Sequence, residues 1–218
     1  MDWVFTSAGD KAARVFGRAP APWADGVTPG QAELLGYAPT TDVNGSVLAA
    51  LGGMDPQAGV AVAGLFLADP FLQVADIARQ LSRLGIRTVA NLPTVQLIDG
   101  EAGRALERTG HGASSELDGL AAFKAKGFAV LAVACGREML GACLKLSPDA
   151  VIVHPGFAAA APAARRKSLA GARAMLKSVA AAGVPRRFLY HPHGFADEEI
   201  APVAALAGGI VRLQPCSL

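Results

Sequence analysis

Charge is scarce in this chain. Only 17% of its 218 residues are charged, and 20 Lys and Arg stand against 18 Asp and Glu, a formal net charge of +2. Disorder needs low hydrophobicity and a charge excess; here 52% of residues belong to the AVILMFWYC set and a further 25 are glycine, so a disordered chain is excluded. Aromatic residues make up only 6%. With so little net charge and so few rings, a nucleic-acid surface has little support. Long apolar runs are missing too: Gly59 to Ala68 holds ten residues and Phe128 to Cys135 eight, far short of the roughly 20 that span a bilayer. No membrane is therefore expected, despite a mean hydropathy of +0.35. Asp2 and Asp10 flank the start where a secretory signal would carry basic residues and then an apolar run, so a cytoplasmic protein is expected. Cysteine is rare. Cys135, Cys143 and Cys216 are widely spaced among aliphatic residues, which fits reduced, buried thiols and neither a disulfide framework nor a zinc pattern.

What is abundant is apolar sequence in short pieces, in a chain whose length makes one domain the default, here 1–218. From Gly59 onward, β-branched runs of strand length alternate with helix-period stretches, the pattern of parallel βαβ units. Val60 to Phe66, Arg87 to Asn91, Phe128 to Ala134, Ala150 to His154, Arg187 to Tyr190 and Gly209 to Leu213 read as strands. Apolar stripes such as Val74, Ile77, Ala78, Leu81 and Leu84, or Leu169, Ala172, Leu176, Val179 and Ala180, read as the helices between them, closed by Gly85 and by Gly183-Val184-Pro185. Residues 92–116 read as a long loop before a helix marked by Leu117, Leu120 and Ala121. With Trp3 to Thr6 the count is seven strands, one short of a closed (β/α)8 barrel. Residues 8–58 carry Pro20, Pro22, Pro29 and Pro39 and read as an irregular insertion or lid with one helix near Val43 to Leu51.

Parallel α/β folds place their chemistry beyond the carboxyl ends of the strands. The polar residues that follow the expected strands are Thr6 and Ser7, Asp69, Asn91 with Thr94, Gly136 to Glu138, His154, His191 with His193, and Gln214 with Ser217. Their convergence on one layer predicts a ligand site there. The longest feature is Ala90-Asn91-Leu92-Pro93-Thr94-Val95-Gln96-Leu97-Ile98-Asp99-Gly100, continuing as Leu106-Glu107-Arg108-Thr109-Gly110-His111-Gly112.

With Ala68-Asp69-Pro70-Phe71, Val153-His154-Pro155-Gly156 and Tyr190-His191, these segments resemble the phosphoenolpyruvate hydrolase-like family of TIM-barrel signal-transduction proteins. The barrel is similar to that of the plant tobamovirus-resistance protein family. More distantly the family groups with the phosphoenolpyruvate mutase and isocitrate lyase enzymes, whose substrates are small oxo-acids and whose metal is magnesium. The resemblance covers Gly59 to the carboxyl end and is strongest from Asp69 to Gly112. It implies a (β/α) barrel with a pocket for a small anionic substrate. The chain departs from the family in lacking a glycine-rich first-strand segment, in carrying Phe66-Leu67-Ala68 before Asp69, in the alanine-rich Phe157 to Ala164, and in stopping at Leu218. A barrel without its first strand and last helix is therefore expected, its open edge covered by a second copy or a partner chain.

Each candidate carries two readings. Asp69 is suited to hold a hydrated magnesium ion or act as base, or else Asp69-Pro70 caps the following helix. Asn91 and Thr94 are suited to bind a ligand carboxylate, or Asn91 fixes the turn into Pro93. His154 and His191, at matching strand ends, form a candidate acid–base pair, against a role as satisfied core residues. His111 could reach over the pocket or sit in a mobile connection. Thr6, Ser7 and Ser217 complete the substrate-binding set. Glu107 and Glu116 read as solvated carboxylates paired with Arg104 or Arg108, Arg165-Arg166-Lys167 as a solvated turn, and Cys135 as a small buried hydrophobe. Two functions compete. One is metal-assisted hydrolase or lyase chemistry on a small oxo-acid or phospho-oxo-acid; the other is a degenerate barrel kept for ligand binding or assembly.

Overall fold

The computed structural model describes residues 2–7, 14–18, 42–53 and 60–214. Six parallel strands form a sheet curled into a half-barrel: β3 (Val60–Gly64), β4 (Thr88–Ala90), β5 (Ala129–Cys135), β6 (Ala150–His154), β7 (Arg186–Tyr190) and β8 (Gly209–Gln214). Two further strands join its ends. β2 (Arg14–Arg18) runs parallel beside β3, and β1 (Asp2–Ser7) lies antiparallel to both β2 and β8, so the strands close in sequence order. β2 falls inside the span read as irregular insertion. β1 sits between β2 and β8, and its direction moves two candidate residues: Thr6 and Ser7 pair with Ile210 and Gly209, at the amino end of β8. Those two residues therefore lie at the end of the sheet opposite the carboxyl-terminal mouth, which corrects their placement in the site layer.

Helices follow the strands. They are α1 (Val43–Gly52), α2 (Val74–Arg83), α3 (Gly100–Arg108), α4 (Ala113–Ala125), α5 (Arg137–Lys145), α6 (Pro162–Ala181) and α7 (Asp197–Ala204). Gly85 adopts φ +75 just past α2, the left-handed conformation that ends a helix without penalty only at glycine.

Strand alternation sorts the core into two layers. Val130, Ala132 and Ala134 of β5, Val151 and Val153 of β6 and Leu189 of β7 face the helices, packed with Leu120, Phe123, Leu176 and Val179. Leu131 and Val133 of β5, Ala150 and Ile152 of β6 and Tyr190 of β7 pack inside the curl, against the partly buried Cys135 and Phe188. Both layers are buried to near zero exposure, which is why these strands read as continuous apolar runs. At roughly 1.5–3 kcal/mol for each large side chain fully buried, this packing dominates the fold's stability. Among the described residues no helix is long and apolar enough to cross a membrane.

Candidate functional site

The loop after β4 carries the longest motif, and its polar groups turn inward onto one side chain. Glu116, on the sheet-facing side of α4, has no solvent exposure. Its Oε1 accepts from the Val95 backbone N–H at 2.5 Å, and its Oε2 accepts from Thr94 Oγ1 at 2.6 Å, Asn91 Nδ2 at 2.9 Å and Gln96 Nε2 at 3.2 Å. The donors are themselves anchored on β5: Asn91 Oδ1 accepts from Val133 N at 2.7 Å, and Gln96 Oε1 accepts from Cys135 N at 2.9 Å. Burial raises the Glu116 carboxyl above its ordinary value, while the four donors pull the other way. The expectation of a solvated Glu116 paired with an arginine is thereby corrected. α4 turns Glu116, Gly119, Leu120 and Phe123 together toward the sheet, and a carboxylate on that stripe is buried with them. Asn91 and Thr94 are brought together, but around Glu116.

The second motif is a helix–helix elbow. Gly110, at φ +76, lets the chain turn out of α3. Glu107 then reaches across the turn, its Oε1 accepting from Ser114 N at 3.1 Å in the first turn of α4. A Cβ at Gly112 would meet the Glu107 carboxyl group, which would have to swing aside. Thr109 Oγ1 bonds back to the carbonyls of Ala105 and Leu106, and His111 N donates to Leu106 O at 2.9 Å. His111 thus sits half-buried in the αα-turn. A cavity of about 700 Å³ lies beside this elbow, bordered by Val95, Gln96, Asp99, Arg104, Glu107 and Glu138.

Asp69 lies beyond β3. Its Oδ1 accepts from Phe71 N at 2.8 Å, an Asx turn, and its Oδ2 accepts from Asn44 Nδ2 at 3.0 Å. Buried Asn44 also exchanges hydrogen bonds with the Phe66 backbone, so α1 is stitched to the end of β3. The cap reading needs adjustment: α2 begins at Val74 with Gln73 as its N-cap, beyond the turn that Asp69 closes. Nor does the site fit a magnesium ion. Both oxygens of its carboxylate are engaged by neutral donors, and the described residues hold no group of three or more His, Cys, Asp or Glu able to bind a metal.

His154 ends β6 inside the curl, stacked on Tyr190 with ring centroids 4.3 Å apart and edge-on to Phe157 at 6.0 Å. Its Nδ1 accepts from Gly156 N at 3.0 Å, so in the neutral ring Nε2 carries the proton. Burial depresses its pKa to about 3, and the ring is neutral at physiological pH. His191 points the other way. It follows Tyr190 on the helix-facing parity of β7, and its Nε2 donates to Phe195 O at 2.9 Å. Its Nδ1 stands 3.6 Å from Asp197 Oδ1, which Arg212 holds at 2.7 Å. Two histidines on adjacent strands but opposite faces do not form the expected acid–base pair. In its place, register sets His154 beside Cys135 of β5, whose thiol burial pushes well above its ordinary value and keeps protonated. Ser217 lies outside the described residues.

The sequence profile of the phosphoenolpyruvate hydrolase-like family matches residues 28–186. An uncharacterized protein, y4oT, of Sinorhizobium fredii (strain NBRC 101917 / NGR234) is 44% identical over 71 residues, 33% of this chain and 36% of that protein. The ToMV resistance protein Tm-1(GCR237) of Solanum lycopersicum is 30% identical over 130 residues, 59% of this chain and 17% of its own length. The ToMV susceptible protein tm-1(GCR26) of the same plant is 29% identical over an equal span. The chain thus spans about a third of the length of the first of these relatives and about a sixth of the other two. With most of the sheet and the whole Asn91 to Gly112 motif inside the matched span, the chain belongs to the phosphoenolpyruvate hydrolase-like family.

Proposed function

We propose that this chain binds a small oxo-acid, or its phospho form, at the carboxyl-terminal mouth of a TIM-type (β/α) barrel, and acts on it there as a hydrolase or lyase. The observation that carries this reading is His154, a neutral imidazole at the carboxyl end of β6, its Nδ1 held by Gly156 N and its ring stacked on Tyr190. Such a ring cannot supply a proton by simple titration near neutrality. Its buried ring, held by Gly156 and Tyr190, instead sets the shape and low polarity of the mouth at which the acid would sit. Membership of the phosphoenolpyruvate hydrolase-like family supports the choice of substrate class.

Titration calorimetry with phosphoenolpyruvate and with pyruvate, each with and without magnesium chloride, tests the proposal. Wild-type binding that falls at least about tenfold in His154→Ala, as the wall of the mouth is lost, is the expected result. Equal affinities would sink it. A second reading, a barrel that binds its ligand or assembles without turning it over, is favoured by Asn91 and Thr94 being spent on Glu116. Binding without pyruvate release from phosphoenolpyruvate selects that reading over catalysis.

A further inference from the structure

We infer that the loop after β4 is a carboxylate cradle that the chain fills with its own Glu116, so that a site for a small monocarboxylic acid is occupied by an internal ligand. Four neutral donors, the Asn91 amide, the Thr94 hydroxyl, the Val95 backbone and the Gln96 amide, converge on the two oxygens within 2.5–3.2 Å. None of the ion pairs among the described residues includes Glu116. A buried carboxylate with no cation, held on both oxygens by neutral backbone and side-chain donors, is arranged as an acid ligand is arranged in a pocket. Two of the donors have further anchors on β5. Asn91 and Gln96 are pinned by Val133 N and Cys135 N, and Gln96 Nε2 also bonds Val133 O at 2.9 Å. Glu116 itself comes from a different element, α4. The cavity of about 700 Å³ is bordered by Val95 and Gln96, two members of the cradle. None of this uses His154, so the inference stands apart from the proposed function.

Truncation of the internal ligand should leave the donors in place around a space that formate or acetate can fill. The test follows thermal unfolding of Glu116→Ala in sodium formate or acetate against sodium chloride at equal ionic strength. In chloride the variant should melt below wild type. Formate or acetate should raise its Tm saturably by about 3 °C or more, while wild type and the isosteric Glu116→Gln, whose cradle stays filled, do not respond. Adding Thr94→Val to Glu116→Ala should weaken the apparent formate affinity by about tenfold. The inference is overturned if formate and chloride act alike on Glu116→Ala, or if Glu116→Gln and wild type gain as much. Should Glu116→Ala not fold in chloride, refolding yields decide: recovery in formate supports the cradle, and equal failure in both salts rejects it.

Discussion

His154 shows what burial does to a titratable side chain. Its folded-state pKa of about 3 lies well below the value near 6.5 of an exposed imidazole. The unfolded chain therefore takes up the proton first, and stability is lost as pH falls from about 6.5 toward 3. Between pH 6.5 and 5, above most carboxylate titration, the loss from this one ring is roughly 1.5 kcal/mol. Urea midpoints should accordingly fall over that interval, and His154→Gln should flatten the slope; an unchanged slope would show that the ring is not held neutral. His191 adds a loss of the same sign, since burial lowers its pKa too, ahead of the opposing pull of Phe195 O and Asp197. Glu116 works in the opposite direction: burial raises it, so the folded state gains as pH falls into the carboxylate range. Of these three groups, the strand-end histidines were visible from their positions in the sequence. Glu116 was not, because nothing in its neighbourhood separates a buried carboxylate from a solvated one until α4 is seen to turn that face inward.

At the scale of the element, the elbow between α3 and α4 explains a motif that reads like a ligand loop. α3 has no buried residue. Its apolar side is only Ala102, Ala105 and Leu106, Leu106 packing partly buried, so periodicity leaves it within a long loop. Its glycines answer to local crowding. A Cβ at Gly103 would collide with the backbone carbonyl oxygen of Ile98, whereas one at Gly112 would meet only the flexible end of Glu107. Gly103→Ala should thus force backbone movement and cost about 1–3 kcal/mol. Gly112→Ala should cost no more than the displaced helix cap, about 1 kcal/mol. Denaturant unfolding of both variants checks the order, and a larger loss at Gly112 would contradict this account of the elbow. α2, α5 and α6, each with a buried stripe, were readable from spacing, as were the β-branched runs of β5 and β6.

For the molecule as a whole, closure depends on β1. It pairs antiparallel with β2 and β8, and removing it would expose two strand edges, the usual route to association. Val4 pairs with Arg14 on one side and Arg212 on the other. A proline there cannot serve as a ladder donor, so Val4→Pro should lower the Tm and promote concentration-dependent association in light scattering. A monomer as stable as wild type would show that the ring does not need this strand. The expectation of a missing strand arose at β2, whose Arg14-Val15-Phe16-Gly17-Arg18 carries no continuous apolar run and falls in the span read as irregular. Direction is what removes Thr6 and Ser7 from the mouth.

The sequence by itself determined the α/β class, the order of the parallel strands and most of the helices, because strands buried on both faces and amphipathic helices write their period into the order of residues. It also determined the family, through motifs that survive in one dimension. Tertiary structure decided which polar residues meet. Contact between Asn91 and Glu116, the separation of His154 from His191 across one sheet, and the pairing of His154 with Cys135 depend on register and on which face each element turns inward. A parity change of one residue carries a side chain from the interior of the curl to the helix layer, and residue types alone do not record that choice.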